Sequence, residues 1–118
     1  MASNVWTITQ GETGAVRTGT LSDADGPVDL SRFDSVSVIA ARSASATPVI
    51  NELVTIDPDQ VTNKGQFSFT FSALNAAIAP RRYLLSFKCM DGASPVYFPL
   101  NRRLEQSYGS LIVVDPLA

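Results

Sequence analysis

The chain contains no histidine and a single cysteine, Cys89. The first absence removes Ser-His and Cys-His catalysis, imidazole metal sites and a histidine pH switch in one step. The second forbids an internal disulfide and any zinc site built from several cysteines. Charge is scarce as well. Charged residues make up 17% of the chain, against roughly 25% in an average globular protein. The balance of 9 basic and 11 acidic side chains leaves a net charge of −2, with no global pull toward nucleic acid or an anionic membrane. No segment approaches the ~18–20 apolar residues that a spanning helix requires. Met1 to Gln10 hold neither a basic residue nor an apolar run, so no signal peptide is visible. These absences lead us to expect a chain made in a cytoplasm and soluble there.

What remains is a chain of 118 residues, 45% of them hydrophobic. That length suits one domain spanning residues 1–118, able to bury roughly two-thirds of its unfolded surface. Its dominant period is two, punctuated by turn residues, which predicts an all-β fold. Trp6 and Ile8 alternate with threonines. Val16 to Leu21 follows with a weak face assignment. Asp25-Gly26-Pro27 is a turn, and Val28 to Leu30 is a brief extended piece. Val36, Val38 and Ala40 alternate with Ser35, Ser37 and Ile39. Val49 to Ile56 is read as one strand, although Glu52 falls on its apolar face, a conflict that a bulge or a solvated end would resolve.

Phe67, Phe69 and Phe71 form the clearest face of all. Ser72 caps a helix of about two turns over Ala73 to Ala79, with Leu74 and Ile78 at i, i+4, and Pro80 ends it. Tyr83, Leu85, Phe87 and Cys89 share the inward face of a strand that turns at Asp91-Gly92. Val96, Phe98 and Leu100 return, across a loop longer than two residues. Leu111 to Val114, four apolar residues in a row, closes the chain and is read as an edge strand. Seven or eight short antiparallel strands with one helical turn near residues 73–79 describe a β-sandwich.

Each chemical candidate has an ordinary alternative. Asp23, Asp25 and Asp29 lie close together, yet a calcium loop needs glycine at position six and glutamate at twelve. Here Gly26 is fourth and Asp34 twelfth, so the aspartates read as turn formers. Cys89, inward-facing and without a histidine to activate it, reads as core. Gly11 and Gly14 are followed by no lysine and form no phosphate loop. Arg81-Arg82 and Arg102-Arg103 flank the hairpin and are expected together at its open end. Solvated strand ends are their ordinary explanation. A protein interface follows, and nucleic acid is a distant third. No catalytic, cofactor or metal residue is expected. Trp6, Tyr97 and Tyr108 are the aromatics whose exposure would suggest a ligand.

The order of the pieces is familiar. Ile8-Thr9-Gln10-Gly11-Glu12-Thr13, then Leu21-Ser22-Asp23-Ala24-Asp25-Gly26-Pro27-Val28-Asp29-Leu30-Ser31, resembles the opening of immunoglobulin-like domains in tailed-phage virion proteins. Notable among these is the N-terminal domain of baseplate upper proteins. Tyr83, Leu85 and Phe87 with Asp91-Gly92, then Phe98-Pro99, are similar to a later stretch of that family, and Leu111 to Val114 to its last strand. Pro80 to Arg82 and residues 101–109 depart from it.

The resemblance implies an immunoglobulin-like sandwich acting as a structural, non-enzymatic virion subunit, a tail, baseplate or neck adaptor. A head-decoration protein is the alternative, and a carbohydrate-binding module stands behind both. The implied partners are other virion proteins and further copies in a symmetric homo-oligomer, with no nucleic acid, membrane or cofactor. The implied location is the virion, made in a bacterial cytoplasm. The expected interface residues are Arg81, Arg82, Arg102, Arg103 and Tyr108.

Overall fold

The computed structural model describes residues 5–23, 26–43, 46–98 and 109–116. They form an all-β, immunoglobulin-like sandwich of two sheets. From edge to edge, the larger sheet holds β1 (Val5–Thr9), β11 (Gly109–Val114), β9 (Arg81–Asp91), β5 (Ser35–Ala41) and β6 (Ile50–Leu53). A further strand, β10 (Ser94–Phe98), also pairs with β9. The smaller sheet is β2 (Val16–Thr20), β8 (Gln66–Thr70) and β7 (Thr55–Ile56). A short ladder of β3 (Ser22–Asp23) with β4 (Gly26–Pro27) and a 3-10 turn at Leu30–Arg32 lead from β2 to β5. One helical turn, α1 (Ala73–Ala76), leads from β8 to β9.

Alternation places the core as the sequence predicts. Trp6, Val38, Phe67, Phe69, Phe71, Tyr83, Leu85, Phe87 and Cys89 are all buried. Trp6 stacks parallel to Phe69 at 6.2 Å and meets the edges of Phe71 and Phe87 at 6.3 and 6.1 Å. These are geometries in which aromatic quadrupoles attract. The Tyr83 hydroxyl donates to the Ala79 carbonyl at 2.6 Å. That bond ties the start of β9 to the corner before it, as tyrosine corners do in immunoglobulin-like sandwiches. Gly19 lies opposite Phe67, where a Cβ would stand 2.8 Å from the ring. The missing side chain makes room for the aromatic.

Both sides of the sandwich are closed. Beside β1 and β2, Trp6 Nε1 donates to the Thr18 carbonyl at 3.2 Å, and Arg17 Nη2 donates to the Thr7 carbonyl at 2.7 Å. Edge carbonyls that could recruit another strand are thereby occupied. On the opposite side the chain itself crosses between sheets at Val54, from β6 into β7.

Several expectations need correction. Val49 to Ile56 is two strands in different sheets, and Glu52 is exposed on the edge strand β6. Residues 28–30 hold no strand, because Leu30 begins the 3-10 turn. The helix is a single turn, capped by Ser72 as expected. It buries Asn75 and Ala76, while Leu74 is 80% exposed. The β9–β10 loop has two residues, because Ser94 pairs with Asp91. Gly92 has φ +62 and, among the described residues, no non-glycine residue has positive φ, the pattern of a type II′ turn, whose twist suits hairpins.

The last strand is no edge. β11 lies between β1 and β9, pairing in parallel with β1, so the strands are not all antiparallel. Its apolar run is explained by Leu111 and Val113 in the core and by two flanking strands.

Candidate interaction surface

The strand directions give the sandwich two ends. At one lie the β1–β2 turn, α1 and the start of β9. At the other lie the β2–β5 connection, the β7–β8 turn and the β9–β10 hairpin. Arg81 and Arg82 open β9 and are both exposed. Arg82 lies opposite Ile112, and its Nε donates to Ser110 Oγ at 3.1 Å. The Arg81 guanidinium sits 5.7 Å from the Tyr83 ring centre, within cation–π range. Their strand partner is β11 and not the returning strand β10. Arg102, Arg103 and Tyr108 lie outside the described residues, so the expected joining of the two arginine pairs has no described geometry.

The outward face of the larger sheet is a feature that the sequence reading missed. Its described positions hold Val5, Ile112, Val114, Leu84, Ile39, Leu53, Met90 and Tyr97 among serines and threonines. Arg82 and Lys88 are its only charges among the described residues, and no carboxylate shares the face. Leu53 is 67% exposed. The signal was present in Ile112 and Val114, and in Leu84 opposite Ser110. Alternation assigns such residues to solvent, and apolar residues there ask for cover. The outward positions of the smaller sheet differ, with Thr18, Thr20, Thr55, Thr70, Ser68 and Gln66 uncharged and polar beside Val16.

The turn aspartates act locally. Asp29 Oδ1 accepts from the Ser31 hydroxyl and amide at 2.6 and 2.9 Å, and Asp59 Oδ1 accepts from the Thr62 amide at 3.1 Å. Hydrogen bonds from Ser31 and Thr62 respectively hold these carboxyls below the usual 3.8. Lowered folded values mean that any stability they confer is present above that pH and is lost as pH falls through the folded value. The Asp23 side chain and Asp25 lie outside the described residues. A recess lined by Trp6, Gly19, Leu21, Phe67 and Phe87 has a volume of about 20 Å³, room for roughly one water.

Cys89 is 0% exposed, and burial pushes its thiol up to about 12. The thiolate is the reactive form. Native protein is therefore expected to leave a thiol-specific chromogenic reagent unreacted at pH 8, and to release one equivalent on denaturation. Rapid native labelling would contradict the burial.

No family model matches this chain, and no curated protein matches it in sequence.

Proposed function

We propose that the protein is a structural, non-enzymatic subunit of a tailed-phage virion, a tail, baseplate or neck adaptor that docks on other virion proteins. The observation that carries this reading is the outward face of the larger sheet, half apolar and, among the described residues, free of carboxylates. Val5, Leu53 and Val114 are exposed on it and Ile39, Leu84, Met90, Tyr97 and Ile112 partly so, and apolar area against water has an unfavourable hydration cost that a partner surface would remove. Support also comes from the likeness of residues 8–13 and 21–31 to phage immunoglobulin-like domains. The carbohydrate-binding alternative asks for exposed aromatics beside polar groups; Trp6 is instead core, Tyr97 is partly exposed on the outward face beside Lys88, and Tyr108 lies outside the described residues.

A reconstruction of the particle that carries the chain tests the proposal. The expected density has the β11–β9–β5 face seated on a second virion protein. In parallel, Leu84→Glu and Ile39→Glu are expected to reduce incorporation into particles at least tenfold while the isolated domain still folds. A copy whose larger-sheet face is bare, or incorporation of both variants at wild-type level, would overturn it.

A further inference from the structure

The charges of the described residues are sorted by end. The end formed by the β2–β5 connection, the β7–β8 turn and the β9–β10 hairpin carries Asp29, Asp34, Asp57, Asp59 and Asp91 against Arg32, Lys64 and, three residues before Asp91, Lys88. The opposite end carries Arg17, Arg42, Arg81 and Arg82 against Glu12 and Asp115. Each end also exposes an aliphatic side chain on a turn or loop. Val61, in the acidic-end turn after β7, is 94% exposed, and Leu74, on α1 at the basic end, is 80% exposed.

Separation keeps these two signs distinct. An eleven-residue strand such as β9 spans roughly 35 Å, several times the ~8 Å Debye length at physiological salt. The ends therefore do not neutralise one another within a molecule. Each presents its own sign, and an aliphatic side chain, to a neighbour.

We infer that the two ends are complementary docking surfaces for a second copy of this chain, arranged head to tail. A two-fold arrangement pairing like ends would set Arg81 and Arg82 against their own copies, or Asp57 and Asp59 against theirs. The head-to-tail contact sets arginines against aspartates and brings Leu74 toward Val61. Because its two sides differ, it propagates, closing into a ring where the rotation permits. Exposed ion pairs are individually weak, so free copies associate transiently. Copies concentrated on a common support stay in contact. This deepens the virion reading and rests on it only for that support.

Disulfide trapping tests the contact without any virion. The native thiol is silent, because Cys89 is fully buried. Equal amounts of the Leu74→Cys and Val61→Cys variants, distinguished by mass, are oxidised together in dilute salt. The mixed dimer is expected to exceed its statistical share of one half, at a ratio to the two homodimers raised roughly fivefold. That preference should fall toward the statistical value in 1 M salt, where screening shortens to ~3 Å. Adding Arg42→Glu with Arg81→Glu to the Leu74→Cys chain is expected to remove it. Circular dichroism checks that each variant is folded, and a misfolded variant is replaced by Arg42→Gln with Arg81→Gln.

A statistical mixture insensitive to salt, or an excess of either homodimer, would overturn the inference. Neither result would touch the virion reading, which the particle reconstruction decides separately.

Discussion

Phe69→Ala is expected to lower the free energy of unfolding by about 3–5 kcal/mol, the range for removing a core aromatic. The residue sits in the middle of the aromatic stack. Trp6 lies parallel to it at 6.2 Å, and Phe71 meets it edge-on at 4.9 Å. Both neighbours are held by backbone bonds, Trp6 within β1 and Phe71, just after β8, to Gly14 and Ala15, so the space left behind cannot collapse fully. Lost transfer energy and an unfilled cavity therefore act together. Urea titration should show an earlier midpoint with an unchanged slope. The exposed Val16→Ala serves as the comparison, expected within about 0.5 kcal/mol of wild type. A loss below about 1 kcal/mol for Phe69→Ala would mean that the stack does not hold the two sheets together.

Gln60→Ala should cost about 3 kcal/mol or more, through hydrogen bonds instead of packing. Gln60 is buried, and all of its polar capacity is directed at backbone. Its Oε1 accepts from the amides of Leu30 and Gly65, both at 2.9 Å, and its Nε2 donates to the carbonyls of Asp57 and Gln66 at 2.8 and 3.2 Å. Truncation strands two amides, one of them in the buried Leu30, and each unsatisfied buried group costs about 1–3 kcal/mol.

Gln60→Glu sharpens the test. An ionised carboxylate still accepts from the two amides but faces the two carbonyls without a proton to offer. Its folded pKa should lie above the unfolded value of about 4.3. The sign follows: this variant is best folded below that pH and loses stability as pH rises through the folded value. A pH-independent Gln60→Glu, or a near-neutral Gln60→Ala, would show that water can take over these bonds.

Gln60 also shows what the sequence conceals. It lies in a polar stretch, Asp57 to Lys64, that alternation and turn signals assign wholly to loop. Nothing in its neighbours announces a buried side chain bonded to four backbone groups. Phe67, Phe69 and Phe71, or Tyr83 to Cys89, were legible because period two and apolar character agree with burial between two sheets. The strand over Val49 to Ile56 was legible as extended chain but not as two strands. It changes sheets at Val54, which still bonds to the Val36 carbonyl at 2.9 Å, without a glycine or proline to mark the bend. Leu74 was placed by helical spacing, but one turn is too short for that spacing to define a face. As for the interaction surface, Arg81 and Arg82 were found by composition. The apolar run of Leu111 to Val114 does ask for cover on its second face, but nothing marks the outward-facing Leu84 and Ile39 that continue it, because alternation marks only which face each residue takes. Whether a face meets water or a partner depends on strands brought alongside from distant parts of the chain.

The parallel pairing of β1 with β11 has a consequence in time. Val5 is opposite Ser110 and Thr9 opposite Val114, so strands more than a hundred positions apart in the chain must meet. Contacts of such long sequence separation come at the cost of a large loop closure and slow the folding of β-proteins. On the ribosome, β1 and Trp6 emerge long before Leu111 and Val113, which wall off the core beside them. Until β11 has been made, β1 lacks its partner in the sheet, and the aromatic cluster stays open on that flank. Synthesis of β11 is thus the event that seals the sandwich, and a nascent chain halted before residue 109 would present the first half of β9 with an unpaired edge to whatever lies nearby.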